Sequence, residues 1–143
     1  MLTDTNILLR LEQVRHPQSR IVERALQRLA HQGMRIHIVP QNLFEFWVVA
    51  TRPISNNGFG LTSAQAAVVL DRIKGTFKLL RDTPEIYDAW EDLVTRYRMV
   101  GKPAHDTRLV AAMKIHGLTA ILTFDKTGFI RFPGIEVIDP AGV

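Results

Sequence analysis

The sequence predicts an α/β domain, a three-layer α/β/α sandwich around a central, mainly parallel sheet, spanning residues 1–143 as one unit. Three observations carry this. Short apolar runs alternate with longer segments of helical periodicity, the order that builds a parallel sheet from βαβ units. The short runs Ile36-His37-Ile38-Val39, Leu118-Thr119-Ala120-Ile121-Leu122 and Ile135-Glu136-Val137-Ile138 are mostly apolar, as strands covered by helices on both faces read. Finally, 143 residues suit a single core, and no internal repeat, low-complexity tract or interior linker divides them.

The elements follow in order. Met1-Leu2-Thr3 opens as a strand, with Asp4-Thr5-Asn6 in the turn at its end. Ile7-Leu8-Leu9 continues as helix or irregular chain. From Pro17 to Gln32 a helix places Ile21, Val22, Ala25, Leu26 and Leu29 on one face and stops at Gly33. Arg20, Arg24 and Arg28 then form a solvated face. After Pro40, Gln41 or Asn42 opens a helix in which Leu43, Phe44, Phe46, Trp47, Val48 and Ala50 are apolar nearly all round, which predicts burial. Arg52 to Gly60 reads as loop. Thr62 and Gln65 form a capping box for a helix through Ala66, Val69, Leu70 and Ile73. Phe77 to Leu80 is a short strand or extended link. Thr83 and Pro84 cap and start a helix carrying Ile86, Trp90, Leu93, Val94 and Tyr97. Gly101 and Pro103 hold the chain in a loop to about Ala104. From Asp106 the pattern is helical again, with Leu109, Val110, Ala112 and Met113 on the apolar face and Gly117 as the stop.

Composition excludes several classes. No cysteine is present, so disulfides and thiolate metal sites are out. No apolar run approaches the roughly 18 residues of a membrane span, and the N-terminus lacks a signal-peptide layout, so the expected location is cytoplasmic. A net charge of +4 leans towards an acidic partner such as nucleic acid.

Four carboxylates carry the chemistry. Asp4 follows the first strand and Asp125 the strand before last. Glu45 lies about a turn and a half into the helix after the second strand, and Asp106 sits at or just inside the start of the helix before the Leu118 strand. Ligands of open α/β sheets bind beyond the carboxyl ends of the strands, and all four can converge there. Each has a simpler reading. Asp106 suits a helix cap, and Glu45, costly if buried alone, can pair with Arg52 or take up a proton. Four converging carboxylates without basic neighbours instead call for a hard divalent cation. Oxygen donors with no Cys and no spaced His pair point to Mg²⁺ or Mn²⁺, and the implied chemistry is metal-assisted hydrolysis of a phosphodiester. Thr5, Asn6 and Thr123 suit hydrogen bonds that orient these carboxylates, or simply the turns they occupy. Arg52, Lys102 and Arg108, like Arg10 and Arg15, are placed either to hold phosphates or to be solvated.

Four segments together resemble the PIN domain family, and within it the VapC-type toxin ribonucleases of toxin–antitoxin pairs. They are Leu2 to Leu8, Gln41 to Pro53, Gly101 to Ala111 and Ile121 to Asp125, in order and spread along the whole chain. The resemblance implies a PIN-like sandwich and an endoribonuclease dependent on Mg²⁺ or Mn²⁺, with Asp4, Glu45, Asp106 and Asp125 as catalytic, metal-binding residues. It further implies that Asn6 helps to hold Asp4, that the chain forms a homodimer, and that an antitoxin protein blocks the site. Two features depart from the family pattern. Only three residues precede Asp4, which leaves a mis-set start codon or a weak edge strand open, and Gly128 stands where a further acidic residue often precedes the Phe. Two rivals remain: an inactive PIN-like module that binds RNA or protein, and a phosphatase using Asp4 as nucleophile. The latter pattern wants a second Asp two residues on, where this chain has Asn6.

Overall fold

The computed structural model describes residues 1–143. Five strands, β1 (Leu2–Thr3), β2 (His37–Ile38), β3 (Lys78–Leu79), β4 (Ala120–Leu122) and β5 (Glu136–Ile138), form one sheet. Their order is β3-β2-β1-β4-β5 and every neighbouring pair is parallel. The helices are α1 (Thr5–Glu12), α2 (Ser19–His31), α3 (Pro40–Thr51), α4 (Ser63–Thr76), α5 (Glu85–Arg96), α6 (Pro103–Ile115) and α7 (Lys126–Phe129). No helix is long and apolar enough to cross a membrane.

The chain builds from β1 outward to β2 and β3, then crosses back to lay β4 and β5 on the other side of β1. A crevice opens where such an order reverses, here beyond the carboxyl ends of β1 and β4. Far from being a weak edge, β1 is the central strand. Leu2 is in register with His37 on one side and Ile121 on the other. Two residues suffice because both neighbours support them.

Alternate strand residues face opposite ways, and the cores follow that alternation. Leu2, Val39 and Ile121 pack with Ile86, Leu93, Leu109, Met113 and Phe129, under α5, α6 and α7. On the other face Ile38 joins Leu8, Phe46, Ala50, Ala66 and Ile73. Ala120 and Leu122 join Ile7, Val22 and Leu29 of α1 and α2. Helices therefore cover both faces, giving the three layers.

Several boundaries differ from the expectation, each for a local reason. α6 begins at Pro103, within the stretch expected to be loop. Proline suits a first turn, and Gly101 at φ +71° makes the left-handed bend before it. α2 starts at Ser19, beyond Pro17, and α5 at Glu85, directly after Pro84. The Arg52–Gly60 segment contains a 3-10 turn, Ile54–Asn56. α4 carries the capping box, Thr62 N–H donating to Gln65 Oε1 at 2.9 Å and Gln65 N–H to Thr62 Oγ1 at 3.2 Å. The largest correction is α3, which is not buried all round. Phe46 and Ala50 face the core, but Phe44 and Val48 are exposed.

Candidate active site

Asp4 leaves β1 as the N-cap of α1, its backbone extended and its N–H donating to the Leu122 carbonyl at 3.0 Å. The carboxylate thus stands at the β1–β4 crevice. Its Oδ2 accepts from Thr123 Oγ1 at 2.6 Å and from Asn6 Nδ2 at 2.6 Å, which leaves Oδ1 with no side-chain donor. Asn6 Nδ2 also donates to Thr123 Oγ1 at 3.0 Å, and the Asp125 N–H donates to the same hydroxyl at 2.9 Å. Thr123 is wholly buried, so this knot ties the two loops after β1 and β4 together out of water.

Glu45 comes from the second turn of α3. Oε2 accepts from Thr5 Oγ1 at 2.5 Å and Oε1 from Gln41 Nε2 at 2.8 Å. The half-buried carboxylate is thus satisfied by neutral donors, and no pairing with Arg52 exists. Gln41 Nε2 also donates to the His105 carbonyl at 2.9 Å, pinning α3 to the first turn of α6 just before Asp106. Asn42 is fully buried behind them. It accepts from Val39 N–H at 2.8 Å and donates to the Thr3 carbonyl and Thr5 Oγ1, both at 3.2 Å. Sequence reading placed Gln41 and Asn42 only as helix openers. Their signal was positional, two amides in the first turn of an otherwise apolar helix, one of them four residues before Glu45.

Asp106 lies in the first turn of α6, where the dipole favours its charge. Asp125 is different: it is exposed and caps α7. Its Oδ1 accepts from Thr127 Oγ1 at 2.8 Å and Gly128 N–H at 3.1 Å. Gly128 belongs to that arrangement, because a Cβ there would come within 2.9 Å of Asp125 Oδ2. An acidic side chain at this position would push the Asp125 carboxylate aside.

Asp4, Glu45, Asp106 and Asp125 line one cavity of about 450 Å³, together with Thr5, Asn6, Lys102 and His105. None of the four is in an ion pair. Burial pushes the Asp4 carboxyl up to about 6, opposed by the bonds from Thr123 and the Thr5 backbone and reinforced by the charges of Glu45 and Asp106. Burial likewise raises Asp106. The Glu45 and Asp125 charges add to it, and Lys102 and His105 partly offset it. Of the expected phosphate contacts, Lys102 lines this cavity. Arg108 is tied to Asp82 at 2.7 Å and reaches Gln41 Oε1 at 3.4 Å, and Arg52 is exposed and unpaired.

No three of these acidic side chains close around a single point. The donor chemistry nevertheless fits a small hard cation, which keeps several waters and takes one or two direct carboxylates. Asp4 and Asp106 suit such a cation, since burial first and the neighbouring carboxylates second make each harder to ionise, and a cation would relieve both.

Comparison with solved structures shows the same fold. A VapBC2 complex from Rickettsia felis bound to a promoter DNA fragment has a chain superposing with TM-score 0.73 at 17% identity, covering 96% of each chain. A DNA-bound VapBC from Salmonella typhimurium gives 0.67 at 20%, covering 97% of this chain and 96% of that one. Mycobacterium tuberculosis VapC20, a sarcin-ricin loop cleaving toxin, gives 0.63 at 18%, covering 89% and 91%. No curated protein sequence matches. The PIN domain family model matches residues 1–135, nearly the whole chain, and the chain accordingly belongs to the PIN domain family.

Proposed function

We propose that the chain is an endoribonuclease dependent on Mg²⁺ or Mn²⁺, the toxin of a toxin–antitoxin pair acting in the cytoplasm. One observation carries the reading. Carboxylates from four distant segments share one cavity at the sheet's switch point, and none of them is in an ion pair. Membership of the PIN domain family, and a fold shared with VapBC complexes and with a sarcin-ricin loop cleaving toxin, support it. A homodimer and an antitoxin that covers the cavity belong to the same proposal.

Asp4 and Asp106 would hold the cation, with Glu45 and Asp125 completing the negative field. When bound, the ion would polarise a phosphoryl oxygen and lower the pKa of an attacking water. Thr123 and Asn6 fix the Asp4 carboxylate before substrate arrives, and Thr5 and Gln41 do the same for Glu45. Lys102, at the cavity wall, attracts the phosphate.

Cleavage of an RNA pool with Mg²⁺, with Mn²⁺ and with EDTA tests the reading. Wild type should cut only with a divalent ion, and Asp4→Asn and Asp106→Asn should not cut. Equal cutting by all three proteins would defeat it. A second reading, an inactive RNA- or protein-binding module, is favoured by the open spacing of the acidic groups and by the capping role of Asp125. It predicts RNA retention without cleavage. Asn6 donates to Asp4 where a phosphatase would need a second acid, which counts against that rival.

A further inference from the structure

We infer that Arg108, anchored by Asp82, is a positioning residue for the acidic cavity: it fixes the Gln41 amide and, through that amide, the Glu45 carboxylate. The inference deepens the nuclease reading and rests on it. Gln41 is buried in the first turn of α3. Its Nε2 spends both protons on acceptors, Glu45 Oε1 at 2.8 Å and the His105 carbonyl at 2.9 Å. The amide oxygen is thereby turned the other way, where Arg108 Nη1 donates to it at 3.4 Å and is the one donor it has. Arg108 Nη2 in turn donates to Asp82 Oδ2 at 2.7 Å. One line of contacts therefore runs from Asp82, between β3 and α5, through α6 and α3 to Glu45, and on to Thr5 of α1.

Charge gives the long contact its weight. Turned over, the amide would set its oxygen against a carboxylate and a carbonyl and its NH₂ against a guanidinium, opposing like with like on both sides. Without Arg108 the buried oxygen has no donor, and the side chain gains by swinging towards water and away from Glu45. Arg108 acts at one remove, because it walls the two neighbouring cavities and not the acidic one. Its planar fork serves both partners at once, one nitrogen to Asp82 and the other to Gln41. A lysine ammonium on a flexible stem does not hold two partners in one fixed geometry. The ion pair itself, with side chains 32% and 36% exposed, adds little to stability, so its removal leaves the fold in place.

The test joins Mg²⁺ affinity, measured by calorimetry, to the side-chain amide signals of Gln41 in proton–nitrogen NMR spectra of the metal-free protein. Their loss in Gln41→Leu identifies them. Arg108→Met and Arg108→Lys should each weaken Mg²⁺ binding about tenfold, and Asp82→Asn should weaken it by less. The sign is diagnostic. An Arg108 acting only through its charge would repel the ion, so Arg108→Met would tighten binding and Arg108→Lys would change nothing. In a Gln41→Leu background, Arg108→Met should add less than about twofold. Both Arg108 variants should move the Gln41 amide signals to solvent-exposed positions. The positioning role is overturned if Arg108→Met binds Mg²⁺ as tightly as wild type or more so, if Arg108→Lys matches wild type, or if the Arg108 and Gln41 substitutions add in full. Unchanged Mg²⁺ affinity with weakened RNA binding in Arg108→Met makes this side chain a phosphate contact instead. If wild type binds no Mg²⁺, the nuclease reading falls and the amide signals decide the positioning role, which unmoved signals overturn. Cleavage of RNA is scored separately. Mg²⁺ coupling without cleavage keeps the positioning role and removes the nuclease reading; cleavage without coupling does the reverse.

Discussion

Thr123 and Asp4, 119 positions apart in the chain, meet through a 2.6 Å hydrogen bond in which the hydroxyl donates to the carboxylate. The hydroxyl also accepts from Asn6 and from the Asp125 amide, so a single buried atom fixes the geometry of both sides of the crevice. Thr123→Val preserves shape and removes the hydroxyl. It should destabilise the protein by about 1 kcal/mol, because the partly buried Asp125 amide loses its acceptor and the Asp4 carboxylate one of its donors. Urea titration measures this, and Thr123→Ser should recover most of the loss.

Metal-free stability should fall as pH rises. The Asp4 carboxyl ionises at about 6 in the folded chain against 3.8 as the reference. The folded state therefore holds the proton more tightly, and this group's contribution is complete below the reference value and lost as pH climbs through the folded one. Melting temperatures in EDTA across that window should show the decline, and Asp4→Asn should flatten it.

Supplying the cation should reverse that loss. At neutral pH, Mg²⁺ at about 100 times its dissociation constant should stabilise wild type by about 2.7 kcal/mol, through mass action alone. Asp4→Asn should raise the melting temperature of the metal-free protein while abolishing the Mg²⁺-dependent increment. A melt that responds to Mg²⁺ equally in both proteins would place the ion elsewhere.

Gln41→Leu should leave the fold in place and disorganise the site. It removes both the 2.8 Å bond to Glu45 and the 2.9 Å bond to the His105 carbonyl, so Glu45 and the start of α6 lose their common anchor. Groups that orient metal-binding carboxylates typically matter by about 10–100-fold, and that is the loss expected in kcat/KM and in Mg²⁺ affinity measured by calorimetry.

Asn42→Ala acts on stability. Its side chain joins α3 to both β1 and α1 from a fully buried position, and the loss strands Val39 N–H and the Thr3 carbonyl. A cost of about 1–3 kcal/mol is expected by chemical denaturation.

The order of elements was readable because Gly, Pro and capping residues punctuate it. Gly33 and Gly117 both take φ above +60°, just past the ends of α2 and α6. Strand length was not. Apolar runs of four or five residues, such as Leu118 to Leu122, contribute only two or three to the ladder, because apolarity reports burial and not pairing. Helix α3 shows the same limit from the other side. Phe44 and Phe46 look alike in sequence, and only the packing of α3 against α4 and β2 decides that Phe46 is covered and Phe44 is not. Among the site residues, Asp4, Glu45, Asp106 and Asp125 stood out as acids at the ends of elements. Gln41 did not, since an uncharged amide at a helix start has an ordinary explanation that needs no partner on α6.

The two-residue strand at the middle of the sheet has a consequence for synthesis. Asp4 is made 119 positions before Thr123, so its amide and its carboxylate gain their partners on β4 and the residue after it only when Leu122 and Thr123 arrive. A nascent chain on the ribosome, or a fragment ending before Ala120, carries an acid with only Asn6 to hold it. A site assembled in this way cannot fix the geometry of its first carboxylate until the β4 strand and the residue after it have been made.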